Sequence, residues 1–269
     1  MFAKLWLVSP WRLSTAQRTR LPFNGAAVTH PDDQDPRFAS FNDAYEQARA
    51  AEGWRYSDDE VRSLPRPPAN GRHGQIWRVR KHSAERLCAY LQGRDGQRLM
   101  ELGCGNGWLA RCIRDKTGLE VLGVDVATDE LAQAERLFGG DRLKFRRADV
   151  LSEDFEPFDF IVIAGAVQYF ADPPALWRRL DTLLNPGGEV HVIDSPVYAD
   201  AAEAQAAAAR GLAHYRAIGV EQMAERFHRH TWSAFPGFQR HGSSWRRRVL
   251  LRLKRPVSPF PWLIRRRAT

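Results

Sequence analysis

The sequence predicts a doubly wound, mainly parallel α/β sheet, and three observations carry that prediction. From about residue 75 onward, short apolar segments alternate with amphipathic helical ones at a spacing that leaves a helix between successive strands. One segment, Phe158-Asp-Phe-Ile-Val-Ile-Ala164, is almost continuously apolar, as a strand covered by helices on both faces must be. The first strand runs directly into a glycine-rich loop that opens a helix.

The elements follow in order. A helix over Ser83 to Gln92 leads to a buried strand, Arg98-Leu-Met-Glu-Leu102, then the loop and a helix from Trp108 to Lys116. A second strand spans Leu119 to Asp125, and a helix from Thr128, read as its N-cap, reaches Phe138. Leu143 to Arg146 is a third strand and Phe158 to Ala164 a fourth. Asp172 then caps a helix with Pro173 in its first position and Leu176, Leu180, Leu183 and Leu184 inside. The turn Asn185-Pro-Gly-Gly188 ends it, and Glu189 to Asp194 is a fifth strand.

The flanks differ. Residues 1–75 carry many Pro, Gly and Asp breakers and read as an N-terminal arm, with helices at about Phe41 to Glu52 and after Ser57. The domain proper is 76–269, with its core at 80–195. Beyond Ser195, the Ala-rich stretch Ala199 to Ala213 and then Val220 to His230 read as helices, a lid over about 196–235. Arg247 to Leu253 and Pro261 to Arg267 read as β segments, so that terminal strands occupy about 245–267.

Composition narrows the class. With 43% hydrophobic and 27% charged residues in 269, the chain is long enough to bury a full core. Its three cysteines, Cys88, Cys104 and Cys112, form no CxxC pair, which argues against a disulfide framework and fits a cytoplasmic setting. No stretch approaches the roughly 20 apolar residues of a membrane span. The formal charge is +8, yet the residues from Trp245 onward hold nine basic side chains and no acidic one, which leaves the rest at −1.

The loop decides the ligand. Its glycines, Gly103, Gly105 and Gly107, follow GxGxG, and Trp108 stands where a dinucleotide fingerprint needs its third glycine. Glu101, two residues before the first glycine, would repel a pyrophosphate but suits a cationic group such as the ammonium of a methionine moiety. Asp125 ends the second strand about 22 residues later, where a carboxylate accepts ribose hydroxyls in hydrogen bonds of about 1.5–3 kcal/mol each. Asp149 follows the third strand, with the Val150 amide beside it, where an adenine is met. These acids converge at the carboxyl ends of successive strands. Each alone also reads as a turn former or cap.

In order and spacing, Met100-Glu-Leu-Gly-Cys-Gly-Asn-Gly107, Val121-Leu-Gly-Val-Asp125, Ala148-Asp-Val150, Phe158-Asp-Phe-Ile-Val-Ile163 and Leu184-Asn-Pro-Gly-Gly188 resemble the motifs of class I, Rossmann-like S-adenosyl-L-methionine-dependent methyltransferases. The resemblance covers roughly residues 80 to 195. It implies a seven-stranded sheet closed by an antiparallel C-terminal hairpin and a helical insertion after the fifth strand. It also implies a cofactor site of Glu101, Gly103, Cys104, Gly105, Asn106 and Gly107 for the methionine part, Asp125 and Val126 for the ribose, Asp149 and Val150 for the adenine, and Ala164 beside them. The stretch Glu52-Gly-Trp-Arg-Tyr with Trp77-Arg-Val-Arg80 resembles the leader of a bacterial subgroup of these enzymes.

Methyl transfer from a sulfonium is an in-line displacement, for which alignment supplies up to about 7–11 kcal/mol. A base is needed only where the acceptor must lose a proton. Gln168 and Tyr169, after the fourth strand, are candidates for lining the transfer pocket, though Tyr169 equally reads as packing on a helix. His228 is the candidate base, against a surface or capping role, and no metal site is expected. Arg80, with Arg78, either clamps the cofactor carboxylate or is solvated. The expected acceptor is a small molecule or a glycan- or lipid-linked precursor, since no dedicated nucleic-acid domain is visible. The basic tail either contacts anionic lipid headgroups or nucleic acid, or forms a closing hairpin whose apolar residues pack inside while its arginines face water. Two other classes compete: a nucleotide-dependent oxidoreductase, disfavoured by Trp108 and Glu101, and an inactive cofactor-binding partner protein.

Overall fold

The computed structural model describes residues 36–68, 71–253 and 255–268. Residues 1–35 of the expected arm lie outside them. Pro36–Ala51 (α1) and Asp58–Ser63 (α2) precede Gly74–Gln92 (α3). The α/β alternation then runs Arg98–Leu102 (β1), Trp108–Thr117 (α4), Glu120–Asp125 (β2), Thr128–Phe138 (α5), Leu143–Arg147 (β3), Phe158–Ala164 (β4), Pro173–Leu183 (α6) and Leu184–Ile193 (β5). Ala201–Ala217 (α7), Met223–Arg226 (α8), Gln239–Arg240 (β6), Ser244–Arg252 (α9) and Leu263–Arg266 (β7) complete it.

The seven strands lie in the order β3-β2-β1-β4-β5-β7-β6. The first five pair in parallel and β7 runs antiparallel to both β5 and β6. This is the predicted Rossmann-like sheet with its antiparallel C-terminal hairpin. Strand alternation sends Leu99, Val121, Phe160 and Val162 into one buried layer with Leu87 and Leu91 of α3 and Ile113 of α4. Met100, Val124, Ile161 and Val190 enter the opposite layer with Leu176, Trp177 and Leu180 of α6. Glu101 points to the first layer, toward α4. The three cysteines are buried and free.

Local signals explain most boundaries. Ser57 and Glu60 form a reciprocal capping box at α2, and the Asp172 side chain accepts from the Ala175 N–H at the start of α6. The first of the two terminal β segments needs a correction. Residues 244–252 form the helix α9, not a strand, and the outer edge of the hairpin is the two-residue β6 upstream of it. Arginine and leucine are strong helix formers, and the run Val249-Leu250-Leu251 is too short for its periodicity to tell strand from helix. A two-residue edge also leaves little unpaired backbone exposed. Smaller corrections concern α3, which starts near residue 74, Thr128, which follows the N-cap Ala127, and Val220 to His230, of which only Met223–Arg226 is helical.

The described part of the arm lies along the domain. Asp58 pairs with Arg136 of α5, and Gln133 donates to the Tyr56 carbonyl and to Asp58. Phe41, Ala44, Tyr45 and Ala48 of α1 join Tyr215, Val220 and Met223 of the 196–235 insertion in a small apolar cluster of their own.

In the second half of β5, His191 is fully buried, accepts from Trp262 Nε1–H at 3.2 Å and lies 3.1 Å from Glu189. Burial opposes the charge on Glu189. Hydrogen bonds from His191 and Tyr90 and the Arg266 charge outweigh it, holding its pKa at about 2. A carboxylate depressed in this way adds stability above about pH 4.5 that is lost as pH falls toward 2. In calorimetric melts, Glu189→Gln should therefore be less stable at neutral pH by about 1–3 kcal/mol. It should also show a flatter decline in Tm than wild type below pH 4.5.

Candidate functional site

β1 delivers Glu101 to the centre of the carboxyl edge, and the loop after it turns back on itself. Gly103 and Gly107 sit at φ +76° and +72°. A Cβ on Gly103 would stand 2.4 Å from that of Ala166, and one on Gly107 2.5 Å from the Phe145 ring, so neither position admits a side chain. The Gly103 and Cys104 N–H groups donate to Val124 O, which ties the loop to the end of β2. Cys104 and Asn106 are buried within it.

Glu101 is 2% exposed, and burial drives its pKa well above the usual carboxylate range. The Ala110 N–H, in the first turn of α4, opposes that rise by donating to the carboxylate. Its Oε2 atom is buried with no hydrogen-bond partner. An orphaned acid of this kind is costly in the apolar interior, and a cationic group set against it would recover the loss. The residues present therefore fit the ammonium end of S-adenosylmethionine.

Asp125 occupies the end of β2. Its Oδ2 accepts from Gly105 N–H at 2.7 Å, and Oδ1 from Val126 and Ala127 N–H at 2.7 and 2.9 Å. Burial raises its pKa despite these bonds, helped by the Glu130 charge. Oδ1 has both lone pairs engaged, and Oδ2 keeps a second one for a ligand hydroxyl. Asp149 is held more locally, accepting from Leu151 N–H at 3.0 Å and from the Ser152 hydroxyl at 3.1 Å. Val150 beside it is buried, and Ala164 closes β4.

Arg80 has an aromatic bed. Its guanidinium lies 5.1 Å from the Trp54 ring and 4.9 Å from that of Trp77, and Trp77 meets the edge of Trp108 at 5.3 Å, next to the loop. The leader residues Trp54, Tyr56 and Trp77 thus have a structural purpose: Trp77 Nε1–H donates to the Tyr56 hydroxyl, which bonds His73, which stacks on Trp54. Burial and the Arg49 charge lower the Arg80 pKa, while Asp194 opposes them. Arg78 is exposed.

Beyond β4, Gln168 is 5% exposed, and its carbonyl accepts from His228 N–H at 2.7 Å. The Gln168 Oε1 atom is buried without a partner. Tyr169 packs on Phe41, Tyr45 and Phe227 at centroid distances of 5.8 Å each, and burial raises its pKa to about 12. Burial and the flanking Arg229 and Arg226 lower the His228 pKa from 6.5, so its ring is neutral at physiological pH. His228 meets Gln168 only backbone to backbone, and its ring lies 6.1 Å from that of His230.

Four residues were not foreseen. Glu130 stands beside Gly105 and is bonded by Tyr45 and Arg49 of α1, an i, i+4 pair that clasps the arm to the cofactor loop. Asp194, just past β5, is buried at φ +51°, with a 2.8 Å hydrogen bond from Ser83. The i, i+4 spacing of Tyr45 and Arg49 was readable, as was an acid after a fifth strand. Their partners were not.

Glycine loop, orphaned acid, second-strand acid and sheet order together form a Rossmann-like sheet with a candidate S-adenosylmethionine site. Residues 100–190, about a third of the chain, match the family model of a methyltransferase domain. It is 35% identical over 100 residues to phosphoethanolamine N-methyltransferase 2 of Caenorhabditis elegans, covering 35% of this chain and 23% of that one. It is also 35% identical over 97 residues to the ubiquinone biosynthesis O-methyltransferase of Ruegeria pomeroyi, covering 35% and 39%. The chain thus spans less than half the length of these curated relatives. A solved chain from the complex between the Haloferax volcanii Trm112 methyltransferase activator and a methyltransferase shares the fold at 17% identity and a TM-score of 0.52, over 79% of this chain and 97% of that one.

Glu101→Gln should separate binding from folding. Calorimetric titration should show S-adenosylhomocysteine binding weakened by about 10- to 100-fold, from loss of a charged hydrogen bond. The variant's Tm should be unchanged or higher, because a buried unpaired acid is gone.

Proposed function

We propose that the chain is an S-adenosylmethionine-dependent methyltransferase acting on a small molecule or a glycan- or lipid-linked precursor. The observation that carries the reading is the buried, partnerless Oε2 of Glu101 beside the GxGxG loop. When bound, the cofactor supplies an electrophilic methyl group on a sulfonium. Glu101 holds its ammonium and Arg80, stiffened by Trp54 and Trp77, faces its carboxylate. Asp125 and Val126 take the ribose, and Asp149 and Val150 the adenine. Ala164, Gln168 and Tyr169 border the transfer position, from which the cluster of Phe41, Tyr45, Tyr169 and Phe227 excludes water.

The acceptor class is supported by enclosure: α1 and the 196–235 insertion roof the site with aromatic side chains rather than leaving an open groove. The relatives named above act, by name, on a nitrogen and an oxygen acceptor, so the methylated atom is not inherited from them. For an acceptor that must lose a proton, His228 is the base, neutral and beside Gln168. The insertion serves as the lid.

Titration with S-adenosylmethionine, S-adenosylhomocysteine and NADH tests the cofactor, and isotopically labelled methyl transfer to amino-alcohol phosphates, phenols, acyl-thioester carboxylates and polyprenyl-linked glycans tests the acceptor. Binding of the first two ligands with transfer to one acceptor is expected. NADH binding in their place, or cofactor binding with no transfer to any cellular extract, overturns the proposal. His228→Ala should lower kcat by about 10²- to 10⁴-fold with cofactor affinity unchanged. Full turnover would remove that residue from the chemistry.

A further inference from the structure

The arginines of the basic segment divide into two groups. Those of the terminal strand serve the fold: Arg265 pairs with Asp181, Arg266 with Glu189, and Arg267 donates to the Leu184 carbonyl. Those around α9 do not. Arg248, Arg252 and Arg255 are exposed and have no ion pair among the described residues. At 100° per residue, Trp245, Val249, Arg252 and Leu253 share one side of this helix, at i, i+4, i+7 and i+8. Trp245 is 64% and Leu253 65% exposed, and Leu151 is the other exposed large hydrophobic residue among those described.

The opposite side of α9 faces the protein. Leu250 helps to line a cavity of about 320 Å³ whose rim carries Arg86 and Arg240 and whose wall includes Asp194, itself bonded by Ser83. Asp194 follows β5 directly, so α9 stands over the carboxyl edge of the sheet, the edge that also holds the cofactor loop. From residue 245 onward the sequence has nine basic residues and no acid.

We infer that α9 docks on an anionic lipid surface, with Trp245 and Leu253 entering the headgroup layer and Arg248, Arg252 and Arg255 meeting lipid phosphates. The two halves of the pattern favour this occupant: exposed cations supply long-range attraction, and a flanking aromatic and leucine on the same face supply the apolar insertion that an interfacial helix needs. A nucleic acid would use the cations and leave Leu253 idle. The inference does not depend on the transfer reaction, since binding is read without cofactor or acceptor.

The experiment is flotation of the full chain with vesicles of phosphatidylcholine alone or mixed with phosphatidylglycerol, across a salt series, with a single-stranded RNA of matched charge titrated in parallel. Wild type should float with the anionic vesicles, remain behind with the neutral ones, and release steeply with salt. Arg248→Glu with Arg252→Glu, and separately Trp245→Ser with Leu253→Ser, should each reduce partitioning by about tenfold or more. S-adenosylhomocysteine binding should stay unchanged in both double variants, showing that they fold. No binding to anionic vesicles at low salt, equal binding to neutral ones, or full retention by the Trp245→Ser, Leu253→Ser variant would each overturn the inference. So would RNA binding tighter than vesicle binding and indifferent to Trp245 and Leu253.

Discussion

The site depends on one electrostatic debt. Glu101 is placed by strand alternation in the apolar layer between the sheet and α4, where a lone carboxylate is poorly tolerated. A single backbone N–H from Ala110 offsets part of the cost, and Oε2 is left bare. No packing argument would select glutamate there, because a leucine would suit the layer better. The residue makes sense as half of a pair whose other half arrives with the ligand. Under the proposed function, pairing this group with a cation recovers that cost, which favours a cation over a phosphate.

The surrounding shells orient what this charge attracts. Asp125 spends three acceptor directions on backbone N–H groups, which fixes the carboxylate and leaves one lone pair, on Oδ2, unused. Arg80 is flanked by two indoles, so its guanidinium has little rotamer freedom left to lose. Glu130 is the junction between arm and domain: it neighbours Gly105 on one side and takes Tyr45 and Arg49 on the other.

The fold was legible because both of its periodicities are clean. The five parallel strands, the capping residues Ser57 and Asp172, and the GxGxG loop all stood where local physics put them. The Arg-rich segment was misread because three consecutive apolar residues, Val249 to Leu251, carry no period, and helix propensity decided instead. Within the site, Glu101, Asp125 and the glycines were readable because they lie on one contiguous strand–loop–helix unit and its neighbour. Glu130 and Asp194 were not. The first depends on a partner 81 positions away in α1, and the second on a left-handed backbone and a serine 111 positions away. Long-range pairing of polar groups leaves no local trace in a sequence.

The strand order has a consequence for assembly. β7 sits inside the sheet between β5 and β6, yet it is the last strand in the chain, and residues 194–262 separate it from β5. During synthesis β5 emerges with one side hydrogen-bonded to β4 and the other open, and it stays open until that whole stretch has been made. An unpaired apolar strand edge invites the wrong neighbour. The insertion and α9 are therefore threaded through the interval in which the half-built sheet is most adhesive, and the arginines that follow, Arg265, Arg266 and Arg267, act as the latch that closes it.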